Sequence, residues 1–260
     1  MRTEDWMMKG RVFLGTAGWA VPRAAAASFP PEGSALERYA GRFHASEINS
    51  TFWRRHQPAT IERWREAVPR GFRFAVKLPR AITHERELRA ARAPVREFLD
   101  DVAVLRDRLG PILVQLPPSL AFDRRRVDAF FRTLRALHAG EVACEPRHAS
   151  WFSPNADALL AGHGVARVAA DPPRVPDGDQ PGGAPSLLYF RLHGSPVMYR
   201  SAYGRERLAA LAPRLRPATR DTTVWCIFDN TASGAAAVDA LELDDLLNDG
   251  DAVKRRTSCR

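Results

Sequence analysis

Glu47 and Asn49, Lys77, Glu145 and Arg147, Asp171, Arg191 and His193, and Asp229 and Asn230 all sit at the end of a short apolar run. Residues two apart in a strand share a face, so each of the pairs Glu47/Asn49, Glu145/Arg147 and Arg191/His193 points one way. Burying a charge without a partner is expensive. These ends therefore need one another, or a ligand. Glu145 or Glu47 is suited to general acid or base work, with its pKa set by burial and by neighbouring cations. His193 is suited to move a second proton, as is His84 in the loop "RAITHER". Lys77, Arg147 and Arg191 have the chemistry of an anion clamp. Lysine is rare here, with only Lys9, Lys77 and Lys254 in an arginine-rich chain, which points to a role for the Lys77 ammonium. Tyr199 and Tyr203 follow "HGSP" and offer rings to stack on a ligand or to cover a rim. Trp53 and Trp151 read as packing residues.

The apolar runs that carry these ends are "RVFLG" (11–15), "ASEIN" (45–49), "FRFAVKL" (72–78), "PILVQL" (111–116), "EVACEP" (141–146), "VARVAAD" (165–171), "LLYFRLH" (187–193) and "VWCIFDN" (224–230). Most intervals between them carry an amphipathic helical pattern. "PATIERWREAV" opens on Pro58, a favoured first helical residue. "APVREFLDDVAVLRDRLG" places apolar residues at 95, 98, 99, 102, 105 and 109 and predicts a helix ending at Gly110. Strands alternating with helices mean a parallel sheet. Eight such units predict an α/β fold of the (β/α)8 TIM-like barrel type, with every polar end at the carboxyl mouth where barrel active sites lie. The first turn, "GTAGWAVP", lacks the G-x-G-x-x-G spacing of an open dinucleotide-binding sheet. "DPPRVPDGDQPGGAPS" (171–186) is too rich in Pro and Gly for a helix and is expected to replace the sixth one. The domain expected is a single barrel over 11–249, between an N-terminal tail (1–10) and a basic, frayed C-terminal tail (250–260).

The chain of 260 residues has a formal net charge of +9, which favours anionic partners. Three cysteines, Cys144, Cys226 and Cys259, form no C-x-x-C and suggest neither a disulfide framework nor a zinc site. A reducing, cytoplasmic setting is expected. No run approaches membrane-span length, so no membrane partner is expected. No cofactor is expected either. A divalent metal is disfavoured because H-x-H and H-E-x-x-H are absent and His193 stands beside an arginine.

Six motifs in order, "GTAGW" (15–19), "EINSTFW" (47–53), "FAVKLPRAITH" (74–84), "VQLPPS" (114–119), "EPRHASW" (145–151) and "YFRLHGS" (189–195), resemble the YecE-like family, a domain of unknown function with a TIM-barrel-like fold. The resemblance spans roughly residues 11–248. It implies the barrel and a pocket lined by Glu47, Asn49, Lys77, His84, Glu145, Arg147, Arg191 and His193, and it implies no reaction. At the last strand Asp229 stands where the resemblance leads one to expect asparagine. The function expected is an enzyme acting on a small anionic ligand, phosphorylated or carboxylated, by hydrolysis, isomerisation or lyase chemistry. The alternatives are a nucleic-acid-binding or nuclease-like barrel, with a rim of Arg54, Arg55, Arg80, Arg86, Arg174 and Arg200, and a non-catalytic ligand-binding module. No obligate protein partner is inferred.

Overall fold

Runs rich in Val, Ile, Leu and Phe with few polar interruptions suit strands buried on both faces. The structure, a computed structural model, describes residues 12–216, 219 and 221–257, with side chains as far as Asn248. The strands are β1 (Val12–Ala17), β2 (Ala45–Ile48), β3 (Arg73–Lys77), β4 (Leu109–Gln115), β5 (Val142–Glu145), β6 (Val165–Arg167), β7 (Ala169–Asp171), β8 (Gly182–Gly183), β9 (Leu187–Leu192) and β10 (Thr223–Phe228). They form one sheet in the order β7-β9-β10-β1-β2-β3-β4-β5-β6-β8, parallel except for the β6–β8 pair. β6 and β7 belong to one extended run broken at Val168. The first half pairs with β5 and the second with β9. The sheet thus curls until its two ends meet on the same stretch of chain, giving a nearly closed, mostly parallel barrel.

The helices are α1 (Ala35–Ala40), α2 (Pro58–Glu66), α3 (Arg92–Val102), α4 (Arg124–Leu137), α5 (Pro154–Gly162), α6 (Arg205–Leu211) and α7 (Ala235–Thr257). Their starts are written locally. Ser34 and Glu37 form a capping box on α1, Asp123 caps α4, and Ser153 caps α5 ahead of Pro154. No helix lies between β7 and β9, where the Pro- and Gly-rich segment instead supplies the two-residue β8.

Two expectations need correction. The helix foreseen to reach Gly110 stops at Val102, a 3-10 segment follows, and Arg106 takes φ 51° and breaks the helical path. Gly110 lies inside β4, which begins at Leu109. A Cβ there would come within 2.6 Å of the Trp225 ring, so the absence of a side chain is what lets the ring approach the strand. At the carboxyl end, α7 continues past residue 249 to Thr257. The expected N-terminal tail (1–10) and residues 258–260 lie outside the described residues.

Period-two alternation builds two cores. Outward residues such as Val76, Ile112, Val114, Phe190 and Phe228 pack under the helices. Inward residues Phe13, Ala45, Ala75, Leu113, Ala143, Ala166, Tyr189 and Trp225 fill the barrel. Trp225 stacks on Phe13 at 4.8 Å and on Tyr189 at 6.0 Å, and the four inward alanines leave room for those rings.

Candidate active site at the barrel mouth

On six strands the next inward residue, two beyond the apolar filling, is polar. Ala45 is followed by Glu47, Ala75 by Lys77, Leu113 by Gln115, Ala143 by Glu145, Tyr189 by Arg191 and Ile227 by Asp229. The strand period therefore stacks a charged layer directly on the apolar floor.

Arg191 is the centre of that layer and is fully buried. Its Nε donates to Glu47 Oε2 at 3.0 Å and its Nη2 to Glu47 Oε1 at 2.6 Å, a two-point contact. Nη1 donates to Glu145 Oε2 at 2.6 Å, and Nη2 also reaches Asp229 Oδ2 at 3.0 Å. Every nitrogen of the guanidinium is thus committed to a carboxylate of the protein. Tyr189 Oη donates to Glu47 Oε2 at 2.9 Å, and Gln115 Nε2 to Glu145 Oε2 at 2.9 Å.

His193 stands one step nearer the opening. Its Nε2 lies 3.0 Å from Glu145 Oε1 and its Nδ1 3.1 Å from Asp229 Oδ2. Carboxylate oxygens only accept, so both contacts are hydrogen bonds when both ring nitrogens carry hydrogen. Arg147 Nη2 donates to Glu145 Oε1 at 2.9 Å. Burial pushes the Glu145 carboxyl up, but the charges of Arg191, Arg147 and His193 outweigh it and hold the group well below the usual carboxylate range. Asp229 is lowered against the same burial by Arg191 and His193.

Lys77 is treated differently. It is buried, and its Nζ makes no hydrogen bond among the described residues. The contact it does make is with the face of Phe52, 4.1 Å from the ring centroid. Burial, with the nearby Arg191 charge, lowers its pKa from 10.5 to about 8. His84 sits on a π-helical turn (Ala81–Glu85), its ring edge-on to Phe52 at 5.0 Å. Its Nδ1 is 2.8 Å from Thr83 Oγ1. Burial and then Lys77, Arg80 and Arg147 lower its pKa to about 4.

The structure brings Glu47, Lys77, Glu145, Arg147, Arg191, His193 and Asp229 to one end of the barrel. Asn49 follows the close of β2, its buried Oδ1 without a hydrogen-bond partner among the described residues. Tyr199 lies over His193, ring centroids 5.6 Å apart. Asp171, Asn230 and Tyr203 face elsewhere. Asp171 takes the outward phase of β7 and meets Arg207 at 3.3 Å. Asn230 Nδ2 donates to Asp239 Oδ2 at 2.7 Å and to the Ser201 carbonyl. Tyr203 Oη donates to the Asp171 carbonyl at 2.9 Å and accepts from the Gly194 amide, buckling two strand ends together. Strand alternation predicts the outward turn of Asn230, since its neighbour Asp229 points in. Tyr189 and Gln115 follow from the same alternation. Phe52 lies within "EINSTFW", but nothing in its residue type marks it as a site residue.

Of the foreseen arginine rim, Arg55 is spent on Asp101, with Nε–Oδ2 at 2.6 Å and Nη2–Oδ1 at 2.7 Å, and also on Glu97. Arg80 lies over Trp53, 5.4 Å from its ring. Trp53 is 69% exposed, so packing does not account for it, whereas Trp151 is fully buried and donates to the Leu120 carbonyl. A cavity of about 310 Å3 opens beside the mouth between Phe52, Trp53, Arg80 and Phe98, without reaching Arg191. Among the described residues no group of three or more His, Cys, Asp or Glu is arranged to hold a metal ion, and no helix is long and apolar enough to cross a membrane.

A family model described as "Protein of unknown function DUF72" matches residues 13–258. The chain belongs to the DUF72 family. The UPF0759 protein YecE of Escherichia coli K12 is 31% identical over 167 residues, 62% of this chain and 59% of that relative's length. UPF0759 protein YunF of Bacillus subtilis is 21% identical over 91% of this chain and 95% of its own. A DUF72 protein of Thermotoga maritima shares the fold with a TM-score of 0.75 at 25% identity, covering 91% of this chain and 99% of that one. Another from Enterococcus faecalis has a TM-score of 0.74 at 24% identity, over 93% and 99% of the two chains.

Lys77 gives this DUF72 chain a pH signature. Its folded pKa, near 8, lies below the unfolded value, so between pH 8 and 10.5 the unfolded chain binds more protons. Stability therefore gains from Lys77 as pH rises through that window, by roughly 3 kcal/mol at about 1.36 kcal/mol per unit. Lys77→Met is expected to melt no lower than the parent at pH 7, and to lose the alkaline gain when the two are compared by thermal melting from pH 7 to 10. Equal pH profiles for the two proteins would show that Lys77 is not penalised by burial.

Proposed function

We propose that the mouth of a (β/α)8 barrel in this protein binds a small anionic ligand, phosphorylated or carboxylated, and acts on it by acid/base chemistry. The observation that carries this reading is a buried Lys77 at the mouth whose Nζ lies over the Phe52 ring and, among the described residues, hydrogen-bonds to none of the three carboxylates around Arg191. Burial first, and then the charges of Lys77, Arg80 and Arg147, lower the pKa of the neighbouring His84. An anion between Lys77, Arg147 and His84 would meet both cations. Arg191 then serves as the strut that holds Glu47 and Glu145 in place. Neutral His84 is placed to accept a proton, and His193 links the ligand side to the carboxylates. Hydrolysis, isomerisation and lyase reactions all use such equipment.

Calorimetric titration with inorganic phosphate and with small carboxylates tests this. Lys77→Met and Arg147→Met are each expected to weaken binding by about 1–3 kcal/mol, the scale of a charged hydrogen bond. Failure of the parent protein to bind any of these anions would remove the reading. A second reading, nucleic acid across the rim, is favoured by the exposed Trp53 under Arg80, a stacking pair of the kind that holds bases. It predicts that Trp53→Ala weakens binding of a short single strand and leaves phosphate binding alone.

A further inference from the structure

Three features single out the Lys77 amine. It stands at the carboxyl end of β3, inside the mouth, and it has neither a hydrogen-bond acceptor nor an ion pair to hold its proton in place. Its neighbour Phe52 offers a ring face and no acceptor. His84 lies on the same ring, and its second ring nitrogen makes no hydrogen bond among the described residues. A structural lysine in an arginine-rich chain would be expected to sit on a carboxylate, and Glu47, Glu145 and Asp229 are all close by, yet they are taken by Arg191. The layer thus neutralises its carboxylates with arginines and leaves one amine unclaimed.

We infer that Lys77 is a nucleophile that forms a Schiff base with an aldehyde or ketone carbonyl of the anionic ligand. This rests on the anion-binding reading of the same mouth and narrows the ligand to a carbonyl compound that also carries a phosphate or carboxylate. Nζ in its neutral form adds to the carbonyl carbon. The C–N bond forms as the carbonyl π pair moves to oxygen, and the proton lost by nitrogen passes to that oxygen by way of His84. The carbinolamine C–O bond then breaks, oxygen leaves as water with the remaining proton of the nitrogen, relayed by His84, and the nitrogen lone pair forms the C=N bond. Amine plus carbonyl gives imine plus water, with no change of oxidation state. The lowered pKa of Lys77 supports the step by supplying free amine near neutral pH. Arg147, already on Glu145 through Nε and Nη2, supplies the charge that faces the anionic group.

Reductive trapping tests the inference on the 260-residue chain. Glycolaldehyde phosphate or glyoxylate is added with sodium cyanoborohydride at pH 7.5, and the adduct is mapped by peptide mass spectrometry. With only Lys9, Lys77 and Lys254 as lysines, the assignment is unambiguous. The expected result is labelling of Lys77 at least tenfold faster than of Lys9 or Lys254, suppressed by inorganic phosphate. Lys77→Arg, checked for folding by its melting curve, is expected to lose the fast adduct. Labelling confined to Lys9, Lys254 and the terminal amine overturns the inference. Phosphate titration on the same preparation separates the two failures. Phosphate binding without a Lys77 adduct defeats the Schiff base alone. No phosphate binding, with Lys77 labelled no faster by glycolaldehyde phosphate than by glycolaldehyde, defeats the anion reading.

Discussion

Arg191→Met is expected to lower stability by about 3–5 kcal/mol, because it removes one partner of a buried charge cluster and leaves the others unpaired. Glu47, Glu145 and Asp229 each accept from Arg191, and Glu47 and Glu145 are as deeply buried as the arginine itself. Arg191→Lys keeps the charge but offers one point where the guanidinium offers a fork, so it is expected to fall between the parent and the methionine variant. The loss is expected to ease at low pH. Glu145 and Asp229 titrate below their ordinary values in the parent, and without Arg191 they would take up protons more readily. Chemical denaturation at pH 7 and pH 5 measures both effects. A methionine variant as stable as the parent at pH 7 would show that the cluster is held open to water rather than sealed.

The second large effect is expected at Trp225. This ring fills the barrel between Phe13 and Tyr189, and Trp225→Ala is expected to cost about 3–5 kcal/mol, as for other buried aromatic-to-alanine changes. The consequence reaches the site, because Tyr189 stacks on Trp225 and donates to Glu47. Trp225→Phe keeps the stack and removes an indole N–H that has no partner among the described residues, so it is expected to retain most of the stability. Denaturant melts of the two variants measure this. An alanine variant within about 1 kcal/mol of the parent would mean that neighbouring side chains collapse into the space.

The fold was legible because each apolar run is short, bounded by turn residues and followed by an amphipathic pattern. Arg106 hid the end of α3, since nothing in "VLRDRL" announces a residue at positive φ, and the apolar stripe continued past it into β4. The missing helix between β7 and β9 was legible from its prolines and glycines. At the site, alternation was enough to gather Glu47, Lys77, Glu145, Arg191 and Asp229. The same rule, applied through the break at Val168, would have turned Asp171 outward, but the break itself is a tertiary event set by two different pairing partners. Which cation would meet which carboxylate was not legible. Of the two roles open to Arg191, ligand clamp or partner of the strand-end carboxylates, its contacts are those of the partner. Lys77 and Arg147 are then the groups to which the proposed anion is assigned.

The most direct test of the anion site is an NMR titration of the His84 ring with and without inorganic phosphate. Two of the cations that depress His84, Lys77 and Arg147, are those assigned to the anion. In the free protein His84 is expected to titrate near pH 4, and an anion between those cations is expected to raise that pKa by offsetting their charge. Saturating phosphate that moves the His84 midpoint upward, with no comparable move in Lys77→Met, is the result the site predicts. A His84 midpoint unchanged by phosphate, sulfate and small carboxylates alike would contradict an anion site at the barrel mouth.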